Sequence, residues 1–316
     1  MHRFRASSLS TMAITLLATA TILPSAARAD VFVLGGPGGD TVGEFTNSGT
    51  TLNAALITGL YYPGAIVASG AYLFVANGGG DSNDTVAEYT TSGTVVNTSL
   101  LSGLDFVEGL ATSGSDIFVV NNNSGTITNR RPGFVGEYTT SGATVNANLV
   151  SGLDAPFGIA ISGSDMFVAS APGTIGEYTT SGAVINANLI SGLNGAFGIA
   201  VSGSDLFVSE EEGSVYAKIG EYTTSGQTVN ATLISGLEFP SCDLAVSGAD
   251  LFVATTDTGT IAEYTTSGIP INTDLISVGV PTGITVTPVP VPAAFGLVAG
   301  LAVLPILLLR RRKRVG

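Results

Sequence analysis

The sequence predicts an all-β fold, a six-bladed β-propeller, and two observations carry that prediction. Six copies of Gly-Glu-Tyr-Thr-Thr-Ser-Gly, or a close variant, place glutamates at Glu44, Glu88, Glu137, Glu177, Glu221 and Glu263. These are 44, 49, 40, 44 and 42 residues apart, and a period of about 40–45 residues written in strand-forming residues marks one propeller blade per repeat. The second observation is a Leu-Phe-Val triplet or its equivalent, found at Val31, Leu73, Ile117, Met166, Leu206 and Leu251 and the two residues after each.

Residues 1–29 read as a signal peptide. His2, Arg3 and Arg5 give a basic start, an apolar stretch runs from Met12 to Leu23, and Ala27-Arg28-Ala29 is a small-x-small cleavage site. The mature chain is expected to begin at Asp30, after a signal helix.

The repeat Phe197 to Leu237 shows how one blade is written. Gly198-Ile199-Ala200-Val201 is an inner strand, Ser202-Gly203-Ser204-Asp205 a turn, and Leu206-Phe207-Val208 a second strand. Ile219 to Thr223 is a third strand, Thr224-Ser225-Gly226 a turn, and Thr228 to Ile234 the outer strand. Short runs rich in Val, Ile, Thr, Phe and Tyr between Gly/Ser/Asp turns are the strand-and-hairpin signal.

The two ends of the repeat region are complementary. The mature chain starts directly with Val31-Phe32-Val33, without an inner strand, whereas the last repeat ends on a lone inner strand, Gly283-Ile284-Thr285-Val286. The expectation is a ring over residues 30–287, closed by one C-terminal inner strand and three N-terminal strands. Such closure removes exposed sheet edges.

The tail, residues 288–316, has three parts. Pro288 to Pro292 alternates proline and valine, Ala293 to Leu309 is 17 residues without a charge, and Arg310-Arg311-Arg312-Lys313-Arg314 follows. A helix over 293–309 at ~1.5 Å per residue spans about 25 Å, enough for a thin bilayer. The basic end should stay cytoplasmic.

This order of parts resembles the PEP-CTERM sorting signal of Gram-negative bacteria. Val289-Pro290-Val291-Pro292 stands where that family has Val-Pro-Glu-Pro, with Val291 in place of the glutamate, and Arg310, Arg311 and Arg312 open the basic cluster. The resemblance covers the last 28 residues or so of the chain. It implies an exosortase-type membrane peptidase as partner, a transient membrane anchor, and delivery to the cell surface or extracellular matrix. The alternative is a plain C-terminal anchor. Across residues 30–287, the Gly-Ile-Ala-Val and Leu-Phe-Val pairs resemble NHL-type six-bladed propellers, which supports the fold and not an activity.

Charge and composition narrow the function classes. All 24 acidic residues lie between Asp30 and Asp274, while only Arg130, Arg131 and Lys218 are basic within the same span. Three positive against 24 negative charges leave the ring at −21, which opposes binding to nucleic acid or anionic membranes. The single histidine is His2 and the single cysteine Cys242, so the ring holds neither a disulfide nor a Ser-His-Asp or Cys-His catalytic set. A monomer is expected.

Candidate site residues fall on the face where the copies diverge, since loops on a rigid scaffold carry function. The links between blades bring Asp105, Glu108, Asp154, Asn194 and Glu238 towards the channel mouth, and the loops Gly78 to Asp84 and Asn121 to Gly133 lie beside it, the latter with Arg130 and Arg131. Arg130 and Arg131 either pair with nearby acids or grip an anionic ligand. Six-bladed gluconolactonase-like propellers hold a divalent metal with carboxylate and amide oxygens. That family's ligand motifs find no residue-by-residue match here. Among the link residues, Asp154, Asn194 and Glu238 are the metal candidates. Oxygen ligands suit Ca²⁺ or Mg²⁺, and Ca²⁺ is the ion expected if one is bound; no cofactor is required otherwise. The repeated glutamates and asparagines (Asn97, Asn146, Asn186, Asn230, Asn272) read as turn or edge chemistry, and Glu210-Glu211-Glu212 as a solvated loop. Three functions remain: a surface or matrix propeller that binds a polysaccharide or surface protein, a metal-dependent hydrolase or lactonase, or a glycosidase that uses a pair of carboxylates at a fixed separation.

Overall fold

A computed structural model describes residues 30–35, 39–78, 83–122, 132–213, 216–238 and 242–287. Residues 1–29, expected to be a signal peptide, residues 288–316, expected to be a sorting tail with a helix over 293–309, and Arg130 and Arg131 lie outside the described residues. Among the described residues no helix is long and apolar enough to cross a membrane.

Six four-stranded antiparallel sheets form the blades. Blade 1 holds Asp30–Gly35, Thr41–Thr46 and Thr51–Thr58, with Gly283–Val286 as its innermost strand. Blade 2 runs through Ala65–Ser69, Tyr72–Asn77, Asp84–Thr90 and Val95–Leu104, and blade 3 through Val107–Ser113, Asp116–Asn121, Gly133–Thr139 and Thr144–Leu153. Blade 4 consists of Pro156–Ser162, Asp165–Ser170, Thr174–Thr179 and Val184–Ser191. Blade 5 consists of Ile199–Ser202, Asp205–Glu212, Tyr216–Thr223 and Thr228–Glu238, and blade 6 of Cys242–Ser247, Asp250–Thr255, Thr260–Thr265 and Pro270–Ser277.

The expected closure is present. Val31 pairs with Val286, Phe32 with Thr285, Val33 with Ile284 and Leu34 with Gly283. The two ends also exchange bonds at Asp30 and Thr287: each residue's backbone N–H donates to the other, at 3.0 Å to the Asp30 carbonyl and 2.9 Å to the Thr287 hydroxyl.

Most of the repeated motif is packing between blades. The phenylalanines of the second strands, Phe32, Phe74, Phe118, Phe167, Phe207 and Phe252, are 0–1% exposed. Each packs in a cluster that takes its other members from the following blade. Phe74, Val86 and Leu101 of blade 2 meet Ile117, Val119 and Tyr138 of blade 3. Phe252 and Ile261 of blade 6 meet Val31, Val33 and Phe45 of blade 1, so the seam is sealed by the same kind of core. Phe45 stands there where the other blades carry tyrosine.

The small residue before the glutamate makes room for that aromatic ring: a Cβ on Gly136 would lie 2.7 Å from the Tyr138 ring two residues along the same face. The Thr-Ser-Gly turn binds itself and its neighbour. In blade 5 the Thr223 hydroxyl accepts the Gln227 N–H at 3.0 Å and lies 2.8 Å from the Ser225 hydroxyl. Gly226 has φ 83°, and its open side faces the Leu189 carbonyl of blade 4 at 2.6 Å from where a Cβ would sit.

The repeated asparagines make a bulge. Glu44, Glu88, Glu137, Glu177, Glu221 and Glu263 pair with Asn53, Asn97, Asn146, Asn186, Asn230 and Asn272, and the register shifts on both sides of each pair. In all six, the asparagine side-chain oxygen accepts the N–H two residues on, at 3.0 to 3.1 Å. Bulges of this kind twist an outer strand away from edge-to-edge pairing, which suits the rim of a ring.

Candidate functional site

The inner strands surround a central cavity of about 610 Å³. Its wall is apolar over most of its height, with Ile66, Leu110, Ile159, Ile199, Leu244 and Ile284 each supplied by a different blade. Two acids interrupt it, Glu108 of blade 3 and Asp243 of blade 6.

Glu108 stands at the start of its inner strand, where blades 4 and 5 place Phe157 and Phe197. These two rings meet edge to face, with centroids 5.2 Å apart. Burial, and secondarily the charge of Asp84, push Glu108 up to about 7, against a hydrogen bond from Asn122 that favours the charged form. Asp243 occupies a position that is Gly109, Gly158, Gly198 and Gly283 in four other blades. Its carboxylate accepts the backbone N–H of Ile284 and its own neighbour Leu244, both at 2.9 Å. Burial still outweighs those bonds and raises it to about 6.

A second cavity of about 490 Å³ opens at the mouth of blades 1 to 3, lined among others by Asp40, Tyr62, Asp84, Phe106 and Thr282, and it shares Glu108 with the channel. The Asp84 carboxylate is fixed by the Val107 N–H at 3.0 Å.

The links between blades are held by a recurring device. Asn77 accepts the Tyr61 N–H at 2.6 Å, and Asn121 accepts the Asp105 N–H at 3.2 Å. Tyr62, Phe106 and Ala155, one residue further along their links, sit at φ 44°, 52° and 46°. Gly195 takes the matching place in the next link at φ 73°. Non-glycine residues in this region are strained, and such strain concentrates at binding and switch sites.

Of the residues singled out in the sequence, Glu108 lines both cavities and Asp105 is half-buried beside it. Asp154, Asn194 and Glu238 are exposed on three successive links, and the Asn194 amide donates to the Glu211 carbonyl at 3.2 Å. No group of three or more His, Cys, Asp or Glu side chains among the described residues is arranged to hold a metal ion.

Glu210-Glu211-Glu212 is not a solvated loop. It extends the second strand of blade 5, and Glu210 is only 2% exposed. The Tyr222 hydroxyl donates to it at 2.6 Å and the Lys218 ammonium lies 3.2 Å from its other oxygen. The cross-strand pairing of Glu210 with Lys218 supplies the counter-charge that a loop reading lacks. Asp40, Asp243 and the aromatic links escaped sequence reasoning; for the two acids the signal is departure from the repeat, since glycine or alanine holds the same place in most other blades.

The six repeated glutamates are half-buried or buried, and burial raises each above the usual carboxylate range. In all but Glu88 a nearby aspartate adds to the rise. None of them lines either cavity.

No protein-family model matches the sequence. No curated protein matches it either. Solved structures do match the fold. A chain in the crystal structure of a nidogen/laminin complex is similar at TM-score 0.63 and 12% identity, over 82% of this chain and 98% of that one. TolB from Acinetobacter baumannii gives 0.58 and 13%, over 85% and 69% of the two chains. A protein from Lactobacillus plantarum gives 0.57 and 18%, over 82% and 99%. These likenesses establish the six-bladed propeller and nothing finer.

Proposed function

We propose that this chain is a non-enzymatic binding or structural module, exported and sorted through its C-terminal tail to the cell surface or extracellular matrix. The observation that carries the binding part is the asymmetric mouth. Blades 1 to 3 depart from the repeat there with acids and strained aromatic links around a cavity, on a ring whose other repeated features serve packing. Propellers present such faces to polysaccharides or proteins, and one structural neighbour was solved within a nidogen/laminin complex. The sorting part rests on Val289 to Pro292, the apolar run and the arginine cluster, with an exosortase-type peptidase as the partner that removes the tail.

The rival is a Ca²⁺-dependent hydrolase or lactonase using Asp154, Asn194 and Glu238. It is the weaker reading, because those side chains stand exposed on three separate links. The test is processing in a host that carries the sorting peptidase. Wild-type protein should leave the membrane without Arg310–Arg314, and replacing Pro290 and Pro292 should retain it. Intact protein dominating in wild-type cells overturns the sorting reading in favour of a plain anchor.

A further inference from the structure

Two asparagines in the chain are followed by glycine, Asn77 before Gly78 and Asn194 before Gly195. This dipeptide is prone to lose its side-chain amide without an enzyme. Glycine carries no Cβ to keep its backbone nitrogen away from the side-chain carbonyl carbon of the asparagine, and its backbone turns freely into the attacking geometry.

The fold treats the two dipeptides in opposite ways. At the first, the Gly78 N–H donates to the Tyr61 carbonyl at 2.9 Å, and the Asn77 side-chain oxygen accepts the Tyr61 N–H at 2.6 Å. Asn77 is half-buried and paired with Thr85 across the strands, so nucleophile and electrophile are both tied. At the second, Asn194 is exposed on the link between blades 4 and 5. Its carbonyl accepts the Glu211 N–H at 2.8 Å, and its side-chain amide donates to the Glu211 carbonyl at 3.2 Å. The Gly195 N–H donates to no acceptor among the described residues. The electrophile is therefore held in place while the nucleophile beside it is free.

The position of Asn194 also departs from its neighbours. On four successive links, Leu104, Leu153, Leu193 and Leu237 are followed by Asp105, Asp154, Asn194 and Glu238. The other three carry an acid, and only the reactive link carries an amide.

We propose that Asn194 is a self-modifying site, which deamidates in the folded protein and gives its link the carboxylate that the neighbouring links have. The Gly195 nitrogen attacks the Asn194 side-chain carbonyl carbon. The new C–N bond closes a cyclic imide, the Cγ–Nδ2 bond breaks, and the amide departs as ammonia with the proton that Gly195 gave up. Water then opens the imide at one carbonyl or the other, which leaves aspartate or isoaspartate. Either product replaces the donor to the Glu211 carbonyl with a carboxylate that has nothing to donate, so this link loosens as its charge grows.

The experiment is incubation of the purified full-length protein in mildly alkaline buffer, sampled over days by digestion with a glutamate-specific protease and mass spectrometry. The peptide of residues 178–210 should gain the mass of an amide-to-acid exchange at Asn194, and its isoaspartate form should accept a methyl group from an isoaspartyl methyltransferase. Asn77, in the peptide of residues 45–88, should stay an amide. In urea both asparagines should convert at similar rates, which assigns the difference to the fold and not to the dipeptide. Gly195→Ala should lose most of the conversion. Alanine suits that place, since Ala155 holds the matching one at φ 46°, and the new Cβ would meet side chains, the nearest being the Phe197 ring at 3.0 Å. Asn194 remaining an amide, Asn77 converting as fast in the folded protein, or wild-type conversion in Gly195→Ala overturns the proposal. Those outcomes leave the sorting reading untouched, because it is decided by the fate of Arg310–Arg314.

Discussion

The Asp243 carboxylate of blade 6 accepts the backbone N–H of Ile284, the residue at the centre of the closing strand, at 2.9 Å. On the other side the Thr285 hydroxyl accepts the Ala68 N–H of blade 2 at 3.1 Å, and the Thr282 hydroxyl donates to the Pro63 carbonyl at 3.2 Å. A four-residue strand is thus clasped by both neighbouring inner strands as well as by its own sheet. Asp243 takes a place that is small in every other blade, and it holds the closing strand, whose pairing with Asp30–Gly35 joins the two ends of the ring without a covalent link.

Removing this clasp should loosen the seam. Asp243→Ala leaves the Ile284 N–H without its acceptor, which costs about 1–3 kcal/mol for a buried donor. Asp243→Asn keeps one acceptor oxygen and should cost less. Deleting Gly283–Thr287 should abolish cooperative unfolding or cause aggregation by exposing two sheet edges. Thermal melts of the three variants check this, and a deletion that melts like the wild type would exclude the closure as a source of stability.

Stability should fall as pH rises through the neutral range. Glu108 is raised from 4.5 to about 7 and Asp243 from 3.8 to about 6, each by burial first. Between the unfolded and folded values the native state binds more protons than the unfolded chain. Stability is therefore fully present at low pH, below the unfolded values, and is lost across about pH 4 to 7. The six repeated glutamates act in the same direction. The melting temperature should be higher at about pH 5 than at about pH 8, and Glu108→Gln should flatten that slope. A wild-type protein more stable at pH 8 would contradict the burial of these groups.

The fold was legible in the sequence because its repeated residues serve neighbouring blades six times over. The aromatic of Glu-Tyr fills the preceding blade's core, Gly226 clears the Leu189 carbonyl, and Asn230 folds a bulge, so each appears at a fixed period. Even the closure could be read, since the missing inner strand and the spare one are both visible in linear order. The candidate site was legible at Glu108 and in the loop that ends at Asp84. Asp40 and Asp243 sit in places where five or six blades must be superposed before the exception is visible, and the left-handed link at Tyr62 has no signature apart from Gly195 in the same place. The burial of Glu210 depends on a cross-strand lysine eight residues later, a pairing that a variable loop length conceals.

The repeated residues should differ sharply in their response to mutation. Gly226→Ala places a side chain at φ 83° against the Leu189 carbonyl and should cost about 1–3 kcal/mol. Glu221→Gln should not lower the melting temperature at neutral pH. Burial and the charge of Asp205 both disfavour the ionised form that it replaces. A large loss from Glu221→Gln would mean that this carboxylate does more than border a bulge.

The buried triad of blade 5 gives a sharper test of what one charge contributes. The Glu210 side chain is 1% exposed, and both its oxygens are engaged, one by the Tyr222 hydroxyl at 2.6 Å and the other by Lys218 at 3.2 Å. The burial of Tyr222 and the adjacent carboxylate both push the phenol upwards, so it remains a donor across the physiological range. Lys218→Met removes the only counter-charge that pairs with Glu210 among the described residues, and its side chain is itself 19% exposed. Breaking one half of a buried ion pair costs about 3–5 kcal/mol when both groups are fully buried, so ~3 kcal/mol is expected at this partly open site. Adding Glu210→Gln should restore most of that loss, because the amide oxygen still accepts from Tyr222 and no charge remains to be solvated. Denaturant unfolding of the two single variants and the double variant gives the coupling directly. Additive losses would show that the pair is not coupled, and that the burial of Glu210 is sustained by Tyr222 alone.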